Sequence, residues 1–259
     1  VNDRMETSVP DIYAAGDAVQ VKHYVTGNDT LISLAGPANK QGRIIADNIC
    51  GGDSRYLGSQ GSSVIKVFDM TAATTGINET NAKKSGLEVD TVILSPMSHA
   101  GYYPGGKVMT MKVVFEKETY RLLGAQIIGY EGVDKRIDVL ATAIHAGLKA
   151  TQLKDLDLAY APPYSSAKDP VNMAGFMIDN IAKGTLKQWH LEDMDKISRD
   201  KSVVLLDVRT VGEFNRGHMD GFKNIPVDEL RERINEIEKG KPVYLICQSG
   251  LRSYIASRI

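Results

Sequence analysis

The chain reads, from residue 243 to residue 253, Val243-Tyr244-Leu245-Ile246-Cys247-Gln248-Ser249-Gly250-Leu251-Arg252-Ser253. The first four residues are apolar, which is typical of a strand in a parallel sheet covered on both faces. A helix is predicted to start near Leu251. Cys247 therefore follows a buried strand and precedes a helix. This position places its sulfur among backbone N–H groups at the positive end of the helix and favours the thiolate.

The residues that follow Cys247, here called the cysteine loop (residues 247–253), favour a functional interpretation. Arg252 adds a fixed positive charge, and Gly250 allows the backbone to turn tightly around the sulfur. The alternative is a structural role, because cysteine is among the most frequently buried residue types. We predict that Cys247 is reactive. Its sulfur is expected to be surrounded by Gln248, Ser249, Gly250 and Leu251.

An alternation of strands and helices extends backward from this loop to about Gln188. We expect a strand at residues 203–206, a short helix near Glu213, a helix at residues 227–239 and a strand at residues 243–246. Residues 188–259 are therefore predicted to form a parallel α/β domain.

The preceding residues follow a different pattern, with alternating and β-branched runs that predict antiparallel strands. Helices are expected after Asn78, from Val133 and from Pro170. The strands are expected at residues 64–68, 88–94, 108–115 and 122–128, with a polar turn at residues 117–119 between the last two. Residues 61–187 are therefore predicted to form an α+β domain built on an antiparallel sheet.

The first 60 residues contain one strand-like pattern and one helical pattern. Residues 11–17 look like the last strand of a parallel sheet running into a tight turn at Gly16. A helix is predicted to begin near Gly36, with Pro37 in its first turn, and to end at Gly51. A strand of the parallel type needs neighbouring strands that these residues do not supply.

Composition argues against several classes of function. Hydrophobic residues make up 42% of the 259 residues and charged residues 24%, and the net charge of -1 gives no field that attracts nucleic acid or lipid. No apolar run approaches the roughly 20 residues that span a bilayer, and no signal-peptide pattern is present, so a cytoplasmic protein is expected. The two cysteines predict no disulfide framework, and the five histidines show no ligand spacing, so no metal site is predicted.

Further motifs accompany the cysteine loop. They read Leu205-Leu206-Asp207-Val208-Arg209, Glu213-Phe214, Gly217-His218-Met219-Asp220-Gly221 and Asn224-Ile225-Pro226. Together with the loop they resemble the rhodanese family of sulfur-handling domains, here expected to be incomplete at the C-terminal end. The resemblance implies that Cys247 is the nucleophile, becomes a persulfide and passes its outer sulfur to an acceptor. Arg252 and the loop N–H groups are the implied stabilisers.

Two questions stay open within this resemblance. Asp207 and Arg209 match positions that support the site in the family, but for Arg209 a structural ion pair is favoured over contact with substrate. A cysteine phosphatase would also hold an oxyanion in such a loop. Only four residues separate Cys247 from Arg252, whereas the phosphatase pattern has five, and the smaller ring suits a single sulfur better than phosphate.

The N-terminal residues carry a second resemblance. They read Ile12-Tyr13-Ala14-Ala15-Gly16-Asp17-Ala18 and resemble the second flavin-binding motif of the pyridine nucleotide-disulfide oxidoreductases. In that family the aspartate accepts a hydrogen bond from the ribityl chain of FAD, which implies FAD contacts at Gly16, Asp17 and Ala38. An Asx turn or helix cap is the alternative for Asp17. Residues 63–184 match the family's dimerisation domain, which implies a homodimer.

Two loops rich in tyrosine indicate one branch of the pyridine nucleotide-disulfide oxidoreductase family. They read Gly101-Tyr102-Tyr103-Pro104 and Tyr160-Ala161-Pro162-Pro163-Tyr164-Ser165-Ser166 and are similar to the coenzyme A-disulfide reductase branch. There, two tyrosine hydroxyls from the partner subunit approach the redox cysteine and the substrate sulfur. Tyr102 and Tyr160 are the expected equivalents, with Tyr103 and Tyr164 as alternatives. Amphipathic tyrosines at an interface would give the same pattern.

Taken together, the resemblances imply a parent protein in which NAD(P)H reduces FAD, and the flavin serves the reduction of coenzyme A disulfide, persulfide or polysulfide. The rhodanese-like domain would relay sulfur. No Gly-x-Gly-x-x-Gly follows a strand, and Cys50 does not match the family's redox cysteine, so a structural role is expected for it.

Residues 1–60 are accordingly expected to be a remnant of the FAD-binding domain, and the chain alone is expected to lack FAD and reductase activity. The alternative function is a noncatalytic dimerisation module with an incomplete rhodanese domain. The preferred disulfide and the choice between NADH and NADPH stay open.

Overall fold

A computed structural model describes all 259 residues, which divide into two compact units, Val1–Ile178 and Asp179–Ile259. The predicted combination of an antiparallel-sheet domain with a smaller parallel α/β domain is confirmed. No helix combines the length and the apolar character that a membrane crossing requires.

The N-terminal part of the first unit consists of loops around one long helix, α1 (Ala35–Ile49), and a two-stranded ribbon of β1 (Val21–Lys22) and β2 (Asp29–Thr30). The strand-like pattern at residues 11–17 does not form a strand. Tyr13 makes only an isolated antiparallel bridge with Glu6, because no parallel neighbour lies beside it. A one-turn 3-10 helix follows at Gly16–Ala18.

A five-stranded antiparallel sheet forms the centre of the first unit. Its spatial order is β3-β4-β7-β6-β5. The strands are β3 (Ser63–Val67), β4 (Met70–Gly76), β5 (Val89–Leu94), β6 (Met109–Glu116) and β7 (Leu122–Gly129). Strand β4 was not predicted, because its small residues Met-Thr-Ala-Ala-Thr-Thr-Gly lack the apolar alternation that marks a strand.

One face of this sheet is covered and the other is open. Helix α3 (Val133–His145) packs against β4 and β7, with Ile137, Leu140 and Ile144 buried. Helix α2 (Glu79–Lys84) begins after the predicted cap, since the Asn78 side chain accepts the Asn81 N–H at 2.8 Å. The last helix of this part, α4 (Pro170–Ala182), also begins at the predicted proline.

The second unit contains a three-stranded parallel sheet of order β10-β8-β9. Its elements are α5 (Met194–Arg199), β8 (Val204–Asp207), α6 (Val211–Arg216), β9 (Lys223–Asn224), β10 (Val243–Ile246) and α7 (Leu251–Arg258). The core of this unit is formed by Leu206, Val208, Ile225, Leu230 and Ala256.

The predicted helix at residues 227–239 is wrong. This segment makes consecutive tight turns, such as the Leu230 N–H to Val227 carbonyl bond at 3.3 Å, and one 3-10 turn at Ile234–Glu236. Its apolar residues Val227, Leu230, Ile234 and Ile237 are spaced by three or four positions, a pattern that predicts an α-helix but that consecutive tight turns also accommodate. Leu230 alone among them is fully buried, and it is placed in the core by these turns.

Candidate functional site

The cysteine loop surrounds the sulfur of Cys247 with hydrogen-bond donors. The backbone N–H groups of Gly250 and Ser253 point at Sγ from 3.1 Å and 3.4 Å, and the Ser253 hydroxyl lies 3.4 Å away. Gly250 has a φ of 92°, a left-handed conformation that turns its N–H toward the sulfur. Strand β10 and helix α7 hold the two ends of the loop.

These contacts favour the ionised sulfur. Partial burial raises the pKa of the Cys247 thiol. Hydrogen bonds from the Ser253 side chain and from the backbone of Ser253, Ser249 and Gly250 lower the pKa, and together they outweigh the effect of burial. The net pKa is below the ordinary thiol value. The side chains of Gln248 and Leu251 are exposed and make no described contact with the sulfur, so the ring consists of backbone and Ser253.

The guanidinium of Arg252 binds Glu213. Its Nη1 and Nη2 donate to Oε2 and Oε1 at 2.7 Å and 2.8 Å, so both terminal nitrogens meet one carboxylate. The Thr210 N–H and hydroxyl also donate to Glu213, at 3.0 Å and 2.8 Å. Arg252, followed by Thr210, holds the pKa of Glu213 well below its usual range.

Glu213 belongs to one of the motifs quoted from the sequence, but no role at the sulfur was predicted for it. The available signal was the spacing of Thr210 and Glu213, since threonine followed three residues later by glutamate is a helix capping box. The structure forms this box at the start of α6.

The buried carboxylate of Asp207 pairs with Arg209, whose Nη2 donates to Oδ2 at 2.6 Å. The same nitrogen donates to the Gly217 carbonyl at 2.9 Å. These contacts have the form of the structural ion pair that was favoured for Arg209.

In the first unit, the structure brings Tyr102 and Tyr160 together although they lie 58 positions apart in the sequence. Their hydroxyl oxygens lie 2.6 Å apart, and this hydrogen bond raises the pKa of Tyr160. The side chains are 76% and 45% exposed, so the pair is open to a ligand or a partner. Tyr103 packs edge-on against His99 instead, and Tyr164 is exposed outside the pair.

A buried arginine connects the two tyrosine loops, defined here as residues 95–108 and 156–169. Arg136 on α3 donates to the Ser98 carbonyl at 3.0 Å and to Asp169 at 2.9 Å, and its side chain is 1% exposed. The Ser165 hydroxyl donates to Asp169 at 2.7 Å, and the Ser165 carbonyl accepts the Ala100 N–H at 2.9 Å. One ion pair therefore supports both loops.

A cavity of about 570 Å³ lies beside this ion pair. Its lining includes Ser98, Glu131, Lys135, Arg136, Tyr160 and Tyr164. Arg136 was not among the predicted site residues. The signal was an arginine on the same helical face as the apolar residues Val133 and Leu140, where a buried charge requires a partner.

The three residues predicted to contact FAD lie at one end of α1. The Gly16 N–H donates to the buried Gln41 side chain at 2.8 Å, and a Cβ added at Gly16 would lie 3.8 Å from that of Ala38. Asp17 is exposed beside them. The first turn of α1 has no side-chain cap, which leaves N–H groups for a polar ligand, so these residues fit part of a flavin site.

No group of three or more His, Cys, Asp or Glu side chains is arranged to hold a metal ion. Cys50 is exposed at the C-terminal end of α1.

Family models match both parts of the chain. The model "Pyridine nucleotide-disulphide oxidoreductase, dimerisation domain" matches residues 62–170, and the model "Rhodanese-like domain" matches residues 190–259. The chain therefore joins an oxidoreductase dimerisation domain to a rhodanese-like domain. The resemblances seen in the sequence are confirmed at this level.

Curated relatives carry names from sulfur metabolism. An "NAD(P)H sulfur oxidoreductase (CoA-dependent)" of Pyrococcus abyssi is 39% identical over 170 residues, covering 66% of this chain and 38% of the relative. A "Coenzyme A disulfide reductase" of Staphylococcus aureus is 37% identical over 177 residues, covering 68% of this chain and 40% of the relative. The chain thus spans less than half the length of these relatives.

Two solved structures resemble the dimerisation and rhodanese-like domains together. Reduced Bacillus anthracis CoADR-RHD is 48% identical with a TM-score of 0.95, over 100% of this chain and 46% of that one. A NAD-dependent persulfide reductase from A. fulgidus is 42% identical with a TM-score of 0.89, again over 100% and 46%.

Proposed function

We propose that this chain is the C-terminal part of a FAD-dependent NAD(P)H:disulfide oxidoreductase that reduces coenzyme A disulfide, persulfide or polysulfide. The domain boundaries are proposed after residues 60 and 187. The observation that carries the proposal is the sulfur of Cys247, held by backbone N–H groups in a rhodanese-like domain that follows an oxidoreductase dimerisation domain. The names of the relatives support the same chemistry.

In the rhodanese-like domain, Cys247 is the proposed sulfur carrier. Its thiolate attacks the outer sulfur of a donor persulfide, a new S–S bond forms, and the bond within the donor breaks so that the donor leaves as a thiolate. The N–H groups of Gly250 and Ser253 stabilise the charge on the attacking sulfur. A second attack by an acceptor thiolate on the outer sulfur returns Cys247 to its thiolate form.

The tyrosine pair is the proposed contribution of the dimerisation domain to a disulfide site in the partner subunit. Two hydroxyls hold two protons, one of which lies between the oxygens of Tyr102 and Tyr160. The other proton remains free to donate to a sulfur anion. The raised pKa of Tyr160 favours its protonated form.

The flavin would be held here by Asp17, Gly16 and the first turn of α1, which includes Ala38. When bound, FAD would supply the two-electron relay between NAD(P)H and a disulfide. Most of the affinity for a dinucleotide comes from a glycine-rich βαβ unit that these residues do not include. One hydrogen bond to a carboxylate contributes about 1.5–3 kcal/mol, against about 4–15 kcal/mol for immobilising the ligand. The purified chain is therefore expected to be colourless.

The open face of the sheet supports a homodimer. Ile65, Ile93 and Ile128 are 60%, 51% and 45% exposed on this face, and Ile65 and Ile128 line a shallow groove of about 400 Å³. Sedimentation at micromolar concentration should give a dimer. Replacing Ile65 and Ile128 together by lysine should weaken it, whereas lysine at the exposed Leu57, outside the sheet, should not. A monomeric wild-type chain would contradict the dimer.

The sulfur-carrier role is tested by loading with thiosulfate or glutathione persulfide, followed by intact mass spectrometry. The expected result is the gain of one sulfur atom, which cyanide removes. Cys247→Ser should abolish the gain, and Cys50→Ser should retain it. Equal loss in the two serine variants would contradict the assignment of Cys247.

A noncatalytic dimerisation module is the second candidate, favoured by the partial flavin site. It predicts a dimer that takes up no sulfur, so the two measurements together separate the candidates. Phosphatase chemistry is disfavoured because Glu213 occupies both terminal nitrogens of Arg252, the group that an oxyanion would need.

A further inference from the structure

The contact between Glu213 and Arg252 determines the charge beside the proposed sulfur carrier. Arg252 lies within the cysteine loop, in the first turn of α7. Its pKa is raised first by the hydrogen bonds that it donates to Glu213 and, more weakly, by the charges of Glu213, Cys247 and Asp207. Arg252 also directly precedes Ser253, whose N–H donates to Cys247 Sγ at 3.4 Å, so its charge can act on the sulfur electrostatically.

The carboxylate of Glu213 is fixed from both sides. Arg252 meets it with two hydrogen bonds of 2.7 Å and 2.8 Å, and Thr210 adds two more at 3.0 Å and 2.8 Å. This geometry leaves the guanidinium paired, so its charge is largely cancelled where it faces the loop.

A second ion pair in the same unit joins Arg209 and Asp207. Asp207 accepts hydrogen bonds of 2.6 Å to 3.0 Å from Arg209. These bonds raise the pKa of Arg209 most, the charge of Glu213 raises it less, and the charge of Arg252 lowers it. Two arginines and two carboxylates therefore form two ion pairs whose net charge is near zero. An anionic group brought next to Cys247 finds no free counter-charge on them.

We propose that Glu213 is a positioning residue that sets the charge preference of Cys247. With Arg252 paired, the sulfur reacts with neutral partners such as a protonated persulfide. It reacts less well with partners that carry a negative group beside the attacked atom, such as thiosulfate. The inference rests on the proposed function only for the identity of these donors, since charge preference at the sulfur is measurable by alkylation.

The test compares iodoacetamide with iodoacetate in a Cys50→Ser chain. In both reactions the Cys247 thiolate forms a bond to carbon and iodide leaves, so the reagents differ only in an amide or a carboxylate. Glu213→Gln keeps a side chain that still accepts from Thr210 but removes the negative charge. The ratio of the iodoacetate rate to the iodoacetamide rate should rise roughly fivefold in this variant.

Glu236→Gln is the matched control, because Glu236 also pairs with an arginine through two hydrogen bonds, from Arg233 at 2.7 Å and 2.9 Å. Its rate ratio should equal that of the parent chain. A Glu213→Gln variant in which both reagents change by the same factor would overturn the proposal, because a loosened loop affects both equally.

Sulfur loading gives an independent measurement. Glu213→Gln should increase loading from thiosulfate relative to loading from glutathione persulfide, and an unchanged preference would count against the proposed role of Glu213. If the parent chain accepts sulfur from neither donor, the sulfur-carrier function fails, while the alkylation ratio still decides the role of Glu213.

Discussion

The cysteine loop and the tyrosine pair hold chemically active side chains in different ways. Cys247 is positioned by residues that follow it within six positions of the chain, through the backbone of Gly250 and Ser253. Tyr102 and Tyr160 meet only because a buried ion pair beneath them joins two distant loops. A local arrangement is encoded in a short motif, whereas a nonlocal one depends on packing elsewhere.

The largest effect is expected where the nonlocal arrangement is broken. Arg136→Met removes the main partner of the buried carboxylate of Asp169 and leaves only the more distant Lys135 at 4.0 Å as a cation, which should cost about 3–5 kcal/mol of unfolding free energy. Arg55→Met removes an exposed pair with Asp3 in the same unit and should cost less than about 1 kcal/mol. Calorimetric unfolding measures both variants, and equal costs would contradict the structural importance of Arg136.

Substitutions in the cysteine loop should change the free energy of unfolding less than Arg136→Met does. A Cβ added at Gly250 meets no neighbouring atom, but Gly250→Ala forces alanine into a φ of 92°. The free energy of unfolding of the second unit should therefore fall by about 1–2 kcal/mol. Gly212 lies within helix α6, and a Cβ added there also meets no neighbouring atom. Gly212→Ala should therefore stabilise the second unit by about 0.5–1 kcal/mol. The single tryptophan, Trp189, reports urea unfolding of this unit. A Gly250→Ala chain as stable as its parent would show that the loop tolerates another backbone conformation.

The pH dependence of Cys247 isolates one donor of the ring. Ser253→Ala removes a hydrogen bond that lowers the pKa of the thiol, so the pKa should rise and the thiolate should appear at higher pH. Alkylation at pH 7 should slow by roughly threefold to tenfold. Ser257→Ala, whose hydroxyl bonds to the Tyr254 carbonyl on the same helix, is the control and should leave the pH profile unchanged.

The smallest effect concerns the tyrosine hydroxyls themselves. Tyr102→Phe removes the hydrogen bond that raises the pKa of Tyr160, so Tyr160 should ionise at lower pH in a difference titration of phenolate absorbance. Stability should change by less than about 1 kcal/mol, because the pair is exposed. Tyr164→Phe removes an exposed tyrosine outside the pair and should leave the ionisation of Tyr160 as it is.

The outcome of the secondary-structure predictions follows the same distinction. Strand β10 and the start of α7 agree with the prediction, because an apolar run, a glycine and a helix start are local signals. Strand β4 was missed because its small residues join the sheet only through pairing with β3 and β7. The helix at residues 227–239 was predicted wrongly because apolar residues spaced by three or four positions occur in consecutive turns as well as in helices.

Short motifs in the sequence were enough to predict the two-part organisation and the position of Cys247 beside N–H groups, whereas they left four tyrosines as candidates. Only the tertiary structure decided that Arg252 binds Glu213, 39 residues away, and that Arg136 binds Asp169, 33 residues away. Charged side chains are long and have several possible partners. Which partner each one meets depends on the packing of elements distant in sequence, and no local pattern specifies that packing.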